Sequence, residues 1–188
     1  MSQNNREIKK MTDNKFLNIY EVTDLEHHCK GYQYSERRGQ DSVAFICYDR
    51  KRQQFLLNCE FTPPVGYFHD RAFGGSLDKE GKKHAEIVME EVEEEAGYKV
   101  EEDCIKYVGN CFVSTQMNQT CYLYLVIVED SQKVERKPQC AVEALASLRW
   151  VNTHSILSGD DWKSISILMK AVDKRILKVV TDDITVEA

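Results

Sequence analysis

The sequence predicts an α/β domain in which helices pack on the faces of a β-sheet. Apolar runs bounded by polar turns indicate strands, one mid-chain segment has helical periodicity and ends at a glycine, and a second amphipathic segment lies near the C-terminus. A chain of 188 residues, 42% of them hydrophobic and 30% charged, has the size and composition of one globular domain.

The predicted strands begin with residues 43–48, a buried apolar run that is followed by a polar turn. Residues 55–61 return as a second strand, which Pro63 and Pro64 end because proline cannot donate to a ladder of hydrogen bonds. The remaining extended segments are a loop or short strand at 65–73 and strands at 105–113, 121–128 and 148–151. Residues 114–120 and 129–142 are predicted to connect them as loops.

Two helices are predicted. The first runs from about residue 84 to residue 96 and stops at Gly97, and its apolar stripe consists of Ala85, Val88, Met89, Val92 and Ala96. The second follows Asp160 or Asp161, since either side chain can cap a helix. Its apolar residues are Trp162, Ile165, Ile167, Leu168, Met169 and Val172.

The two ends of the chain are more polar than its middle. Residues 1–15 are expected to be flexible, and residues 181–188 form a loose acidic tail. In residues 16–36 apolar and polar side chains alternate, which predicts a strand or hairpin that extends the main domain.

Charge and cysteine usage exclude several classes of function. The net charge of −6 argues against a nucleic-acid-binding surface, although an acidic protein can bind polyphosphates through metal ions. The seven cysteines include no CxxC pair, so a zinc site is not predicted and free thiols in a reducing compartment are. No apolar signal core or membrane span is present, and we expect a cytoplasmic protein without membrane contact.

The first predicted helix is crowded with carboxylates. They are Glu86, Glu90, Glu91, Glu93, Glu94 and Glu95. Like charges three or four residues apart on a helix repel, so a bound divalent cation with oxygen ligands is the expected compensation. On a helical wheel Glu91, Glu94 and Glu95 lie on one flank of the apolar stripe and the others lie on the opposite flank. The wheel does not decide which set is functional.

The segment from Gly74 to Tyr98 resembles the signature of Nudix hydrolases, because Glu91 to Tyr98 match its second half in full. The resemblance implies an α/β/α sandwich with a mixed sheet and a catalytic loop–helix–loop. It further implies that Glu91, Glu94 and Glu95 are catalytic ligands of Mg²⁺ or Mn²⁺, with the carbonyl of Gly74 as an additional ligand.

The segment departs from the signature in two ways. Its loop is one residue longer than usual. In addition, Glu90 stands where arginine is expected, and Lys82 stands near the position of the first glutamate. Either Lys82 and Glu90 reproduce the family's ion pair with reversed sign, or the pair has been lost and the site is degraded.

The flanking sequence is similar to the branch of the family that hydrolyses nucleoside diphosphate sugars such as ADP-ribose or UDP-glucose. The similarity covers about residues 37–175 and assigns a Nudix domain to residues 37–180, with Gln40 to Val43 entering a strand. Arg71 stands where this branch often carries glutamate, and its guanidinium suits contact with a substrate phosphate. Gly75 and Tyr67 are the other expected substrate contacts. The alternatives are that Arg71 is a surface-loop arginine and that Tyr67 or Phe68 packs instead of stacking on a nucleobase.

For the general base, the resemblance implies Glu143, with Glu135 second, against the alternative of a solvated loop carboxylate. His69 and His84 are weaker candidates for phosphate contacts. The implied activity is metal-dependent hydrolysis of a nucleoside-diphosphate-linked small molecule, in a homodimer joined through residues 16–34. The alternatives are a catalytically weakened nucleotide- or protein-binding module and a Nudix hydrolase of other nucleotides.

Overall fold

The computed structural model describes residues 6–37, 39, 41–179 and 186–187. The strands are β1 (Arg6–Lys10), β2 (Leu17–Asp24), β3 (Cys29–Arg37), β4 (Ser42–Asp49), β5 (Gln54–Thr62), β6 (Tyr67–Arg71), β7 (Phe73–Ser76), β8 (Ile105–Ser114), β9 (Met117–Val128), β10 (Ser147–Val151), β11 (Lys178–Val179) and β12 (Val186–Glu187). The helices are α1 (His84–Glu91), α2 (Ala141–Leu145), α3 (Thr153–Leu157) and α4 (Trp162–Asp173). A π-helical turn, Val92–Ala96, continues α1.

The strands β1 to β10 form one mixed sheet. Its main order is β1-β2-β3-β9-β4-β5-β10, and β6, β7 and β8 pair with β5, β4 and β9 respectively. The central strands β4 and β9 run parallel from the pair Ser42–Cys121 to the pair Asp49–Val128. The pairs of β4 with β5 and β7 are antiparallel.

Both faces of β4 are buried, because helices cover the sheet on both sides. Ala44, Ile46 and Tyr48 belong to the core cluster that includes Ile167 and Leu168 of α4. The alternate residues, from Val43 to Cys47, belong to the cluster that includes residues of α1. Side chains alternate across a strand, so an uninterrupted apolar run is what a strand between two helical layers requires.

Strand β4 changes partner along its length, which opens the sheet. Its first residues pair with β7, from Ser42–Ser76 to Phe45–Phe73. Its last residues, from Cys47 onwards, pair with β5. At Gly74 a Cβ atom would lie 2.9 Å from the carbonyl oxygen of Val43, so this close pairing requires glycine.

Most strands lie where the sequence predicts them, with bounds shifted by one or two residues. Three differences are larger. Residues 65–73 contain β6 and the first residue of β7, and β9 begins at Met117 because residues 117–120 pair with β8. The helices α2 and α3 were not predicted, since five residues are too few to show a helical period.

Part of residues 1–15 forms a strand that the sequence does not predict. Arg6–Lys10 forms β1 and pairs with β2, and all five of its residues are exposed. An exposed edge strand needs no apolar residues, which is why composition alone concealed it. Residues 17–37 form an antiparallel pair, β2 and β3. Gln40 and most of the predicted acidic tail lie outside the described residues.

The first helix ends at Gly97, as the sequence predicts, and Gly97 has a φ of 74°. Its buried apolar residues differ from the predicted stripe: Ile87 is buried, whereas Ala85 and Met89 are half-buried. All seven cysteines are free thiols. Within the described ranges no helix is long and apolar enough to span a membrane.

Asp161 caps α4 and also ties it to the strand region that leads to β7. Its Oδ2 accepts hydrogen bonds from Ser164 N at 3.1 Å, from Ser164 Oγ at 2.6 Å and from the buried Ala72 N at 2.7 Å. We expect Asp161→Ala to lower the free energy of unfolding by about 2–4 kcal/mol, because it removes a cap and leaves the Ala72 N–H unpaired.

Urea unfolding measures this loss. The control is Asp160→Ala at the neighbouring exposed aspartate, which should change stability by less than about 0.5 kcal/mol. Equal effects of the two substitutions would contradict the assignment of the cap to Asp161.

Candidate active site

A cavity of about 350 Å³ lies where β4 and β7 meet. Its wall contains carboxylates, cations and glycine backbone in close proximity. The residues that line it include Arg37, Ser42, Glu60, Arg71, Gly74, Gly75, Ser76, Glu95, Cys140, Glu143 and Lys163. This volume is at the lower end of the range of small-molecule sites.

Glu95 is the most buried carboxylate of the glutamate helix. Its side chain is 8% exposed, and its Oε2 atom has no hydrogen-bond partner. Burial, together with the neighbouring charges of Glu91 and Glu143, raises the pKa of Glu95 to about 8. A buried acceptor without a partner is costly, so this oxygen is available to a group that enters the cavity.

The Glu91 carboxylate lies against Gly75 of β7. A Cβ atom at Gly75 would lie 2.5 Å from Glu91 Oε1, so a side chain at this position would displace the carboxylate. Burial and the charge of Glu94 raise the pKa of Glu91 to about 7. The glycine therefore lets a carboxylate approach the backbone of β7 closely.

The third predicted ligand, Glu94, points to a different partner. Its carboxylate accepts a hydrogen bond from Gln139 Nε2, and its backbone carbonyl accepts one from Lys137 N at 3.0 Å. The helix widens to a π-turn from Val92, so the spacing of a regular α-helix no longer holds there. Glu95 lines the cavity, Glu91 lies against Gly75 of the cavity wall, and the Glu94 carboxylate is hydrogen-bonded to the loop beside it.

The described residues contain no group of three or more His, Cys, Asp or Glu side chains arranged to hold a metal ion. Magnesium nevertheless commonly uses only one or two carboxylates, together with water and substrate phosphate oxygens. The paired carboxylates of Glu91 and Glu95, with the free Oε2 atom, fit that mode of binding. They do not form a closed triad with Glu94.

The loop after β9 brings Glu143 to the cavity. Glu143 Oε2 accepts a hydrogen bond from Gln139 N at 2.6 Å. Arg136 donates to the carbonyl oxygens of Ala146 at 3.1 Å and of Glu143 at 3.4 Å, which holds α2 in place. Glu135 is exposed and does not line the cavity.

Arg71 lies in β6 and lines the cavity, a position unlike that of a surface-loop arginine. Its Nη1 atom is 3.2 Å from Glu60 Oε1, and Asn58 Nδ2 donates to Glu60 Oε2 at 2.9 Å. Glu60 was missed by the sequence analysis. A carboxylate inside a mostly apolar predicted strand was the available signal, because a buried charge requires a partner.

Other predicted contacts lie outside the cavity. The Tyr67 hydroxyl donates to Asp160 Oδ2 at 3.3 Å, and its ring is half-exposed. His84 packs on the ring of Tyr122 at 4.2 Å between centroids, and His69 is hydrogen-bonded to Thr62. Arg37 and Lys163 also line the cavity and were missed, since β3 and α4 carry them from distant parts of the sequence.

Glu90, the residue in place of the family arginine, contacts two lysines. Lys79 Nζ is 2.8 Å from its Oε2 atom, and Lys82 Nζ contacts its Oε1 atom. Hydrogen bonds from Lys79 and Lys82 lower the pKa of Glu90. The loop before the helix is thus joined to it by an ion pair whose signs are reversed relative to the expected glutamate–arginine pair.

The mixed sheet with helical layers on both faces confirms the predicted α/β fold class. The chain is similar to a solved structure of an ADP compounds hydrolase, with a TM-score of 0.64 and 11% identity over 89% of this chain and 91% of that one. No protein-family model and no curated protein sequence match the chain.

We expect the metal-free protein to lose stability as the pH rises from about 5 to about 8.5. The folded-state pKa values of Glu91, about 7, and of Glu95, about 8, lie above the ordinary value of 4.5. The folded protein therefore holds protons that the unfolded chain has released. Their stabilising contribution is complete below the ordinary pKa and is lost as the pH rises through the folded-state values.

Glu95→Gln removes one of these groups, so its stability relative to wild type should increase with pH, by on the order of 1–3 kcal/mol at pH 8. Chemical denaturation in EDTA measures the difference. The exposed Glu101 supplies the control, and Glu101→Gln should retain the wild-type slope. A wild-type slope in Glu95→Gln would contradict the assignment, and saturating Mg²⁺ should flatten the wild-type profile.

The lysine contacts to Glu90 should support metal binding. We expect Lys79→Met/Lys82→Met to weaken Mg²⁺ binding about three- to tenfold, the range expected from two half-exposed ion pairs, and Lys82→Met alone to have a smaller effect. Titration calorimetry measures the affinity, with Lys99→Met at an exposed site as the control.

Charge reversal separates an electrostatic role from simple packing. Glu90→Arg alone should weaken Mg²⁺ binding, and combining it with Lys79→Glu and Lys82→Glu should restore most of the affinity. Failure of the triple variant to bind better than Glu90→Arg would show that the ion pair is not what supports the site.

Proposed function

We propose that this protein is a metal-dependent hydrolase of the diphosphate linkage in nucleoside diphosphate sugars of the ADP-ribose or UDP-glucose type. The products are a nucleoside monophosphate and a sugar phosphate. The observation that carries the proposal is the unpartnered Oε2 atom of buried Glu95, beside Glu91, in a cavity that also contains Arg37, Arg71 and Lys163. The cavity contains carboxylates, which bind cations, and cationic side chains, which bind anions. This combination suits a diphosphate substrate that carries a metal ion.

Glu91 and Glu95 would hold Mg²⁺ or Mn²⁺, with the Gly74 carbonyl as a further ligand. When bound, the metal supplies charge neutralisation at the phosphate oxygens and lowers the pKa of a coordinated water. The two raised carboxyl pKa values favour this role, because a cation removes the repulsion that protonation otherwise relieves.

Glu143 is the proposed general base. Gln139 N holds its Oε2 atom, which orients the carboxylate while Glu143 lines the cavity. A base must be within hydrogen-bonding reach of the water from which it takes a proton. The loop that leads to α2, the helix of Glu143, is joined to Glu94 through Gln139 and Lys137. Glu94 lies on the same helix as the proposed metal carboxylates, so this loop connects the base to that helix.

Arg71 is placed to contact a phosphate oxygen. Its pairing with Glu60 limits its rotamers and leaves the guanidinium with further donors. The absence of a side chain at Gly75 makes room for the Glu91 carboxylate, and Gly75 itself lines the cavity that the substrate would enter. The similarity of fold to an ADP compounds hydrolase supports the same class of substrate.

The alternative of a non-catalytic binding module rested on Glu90 in the place of arginine. The contacts of Glu90 with Lys79 and Lys82 weaken that alternative, since the loop and helix remain joined by charge. The alternative of other nucleotide substrates is tested directly by a substrate panel.

With Mg²⁺ or Mn²⁺, we expect hydrolysis of ADP-ribose or UDP-glucose to exceed that of nucleoside triphosphates, and EDTA should abolish it. Glu95→Gln should lower kcat by on the order of 10²–10³-fold, because it removes charge that acts in the transition state. Product release is measured by chromatography. Glu86→Gln, at an exposed position of the same helix, is the control and should retain activity.

A wild-type protein that binds Mg²⁺ and hydrolyses none of these substrates would refute the proposal in favour of the binding module. Full activity of Glu95→Gln would refute the proposed role of its carboxylate.

A further inference from the structure

Two cations of the cavity lack an acidic partner within the part of the chain that the structure describes. Neither Arg37 nor Lys163 takes part in an ion pair among the described residues, in contrast to Arg71, which is paired with Glu60. The contact of Arg37 is with Ser76 Oγ, at 3.5 Å from Nη2. Lys163 is half-buried, and its Nζ atom lies 5.9 Å from the centre of the Trp162 ring. A half-buried ammonium without a carboxylate favours an anionic ligand.

Arg37 and Lys163 line the same cavity and come from different elements, β3 and α4. Arg37 contacts Ser76, which pairs with Ser42 across β7 and β4, and both serines line the cavity as well. The contact of Arg37 therefore lies at the β7 wall of the cavity.

A carboxylate lies close to the contact of Arg37 on β7. Glu91 lies against Gly75, which precedes Ser76 in β7, and adjacent residues of a strand are about 3.3 Å apart. Glu95 lines the same cavity. A diphosphate that lies along β7 would place one phosphate at this carboxylate part and the other beside Arg37.

We propose that Arg37 and Lys163 form an anion subsite that binds the leaving phosphate of the substrate independently of metal. The inference rests on the proposed function, because it assigns the attacked phosphate to the carboxylate part. The water oxygen bonds to the attacked phosphorus, and the bond from that phosphorus to the bridging oxygen breaks. The bridging oxygen leaves with the second phosphate, which gains one negative charge, and Glu143 takes the proton of the water.

Because the charge of the leaving phosphate increases during the reaction, Arg37 and Lys163 would stabilise the transition state more than the bound substrate. Their removal should therefore lower kcat as well as weaken binding. A role in binding alone would raise KM and leave kcat unchanged.

The first experiment measures binding of AMP and ADP in EDTA at low ionic strength, by titration calorimetry. We expect Lys163→Met to weaken binding about ten- to a hundredfold, the range for a charged hydrogen bond, and Arg37→Met to weaken it similarly. Lys163→Arg should bind within about threefold of wild type. Lys170→Met, on the same helix and outside the cavity wall, is the matched control.

Wild-type affinity in both Lys163→Met and Arg37→Met would overturn the subsite. An equal loss in Lys170→Met would also overturn it, because the binding would then reflect general charge. Thermal unfolding of each variant, with a midpoint close to that of wild type, shows that a loss is not caused by misfolding.

The second experiment measures turnover with Mg²⁺ on the best substrate of the panel. Lys163→Met should lower kcat at least tenfold, and Lys163→Arg should restore most of it. Hydrolysis by Lys163→Met at the wild-type kcat would overturn the inference and leave the proposed function intact. Absence of turnover in wild type would instead refute the proposed function, and the binding experiment in EDTA would still decide the subsite.

Discussion

The burial of two neighbouring carboxylates against a glycine strand is the constraint on which the site depends. Glu91 lies beneath Gly75, and Glu95 has an oxygen atom without a partner. Such carboxylates destabilise the folded state when both are ionised, because burial and mutual repulsion disfavour the charged forms. The arrangement makes physical sense when a cation shares the site, and stability is then coupled to the binding of that cation.

Several other features of the fold position these two carboxylates. Glu94 and Glu95 lie in the π-turn, and the loop after β9 contacts Glu94 through Gln139. Arg136 holds the same loop by its backbone, and this loop carries Glu143 to the cavity. A change in any of these contacts would move a carboxylate relative to the others, and positioning errors of that kind are costly in catalysis.

The contacts of Glu90 with the two lysines link the loop to the helix by complementary charge, although the residue types differ from those of the signature. Lys79 and Lys82 lie in the loop, and Glu90 lies on the helix. Sequence reasoning paired Lys82 with Glu90 and left open whether the site was degraded. The participation of Lys79 depends on how the lengthened loop turns back, which spacing does not reveal.

Local patterns in the sequence determined the layered architecture, the main strands, the position of the glutamate helix and its end at Gly97. Periodicity and turn chemistry act between neighbouring residues, so they can be read from a single chain. Only the tertiary structure decided that Glu95 is the glutamate of this helix that lines the cavity, and that Glu60, Arg37 and Lys163 line it too. Those residues come from different strands and helices, and their proximity follows from long-range strand pairing, which no local pattern specifies.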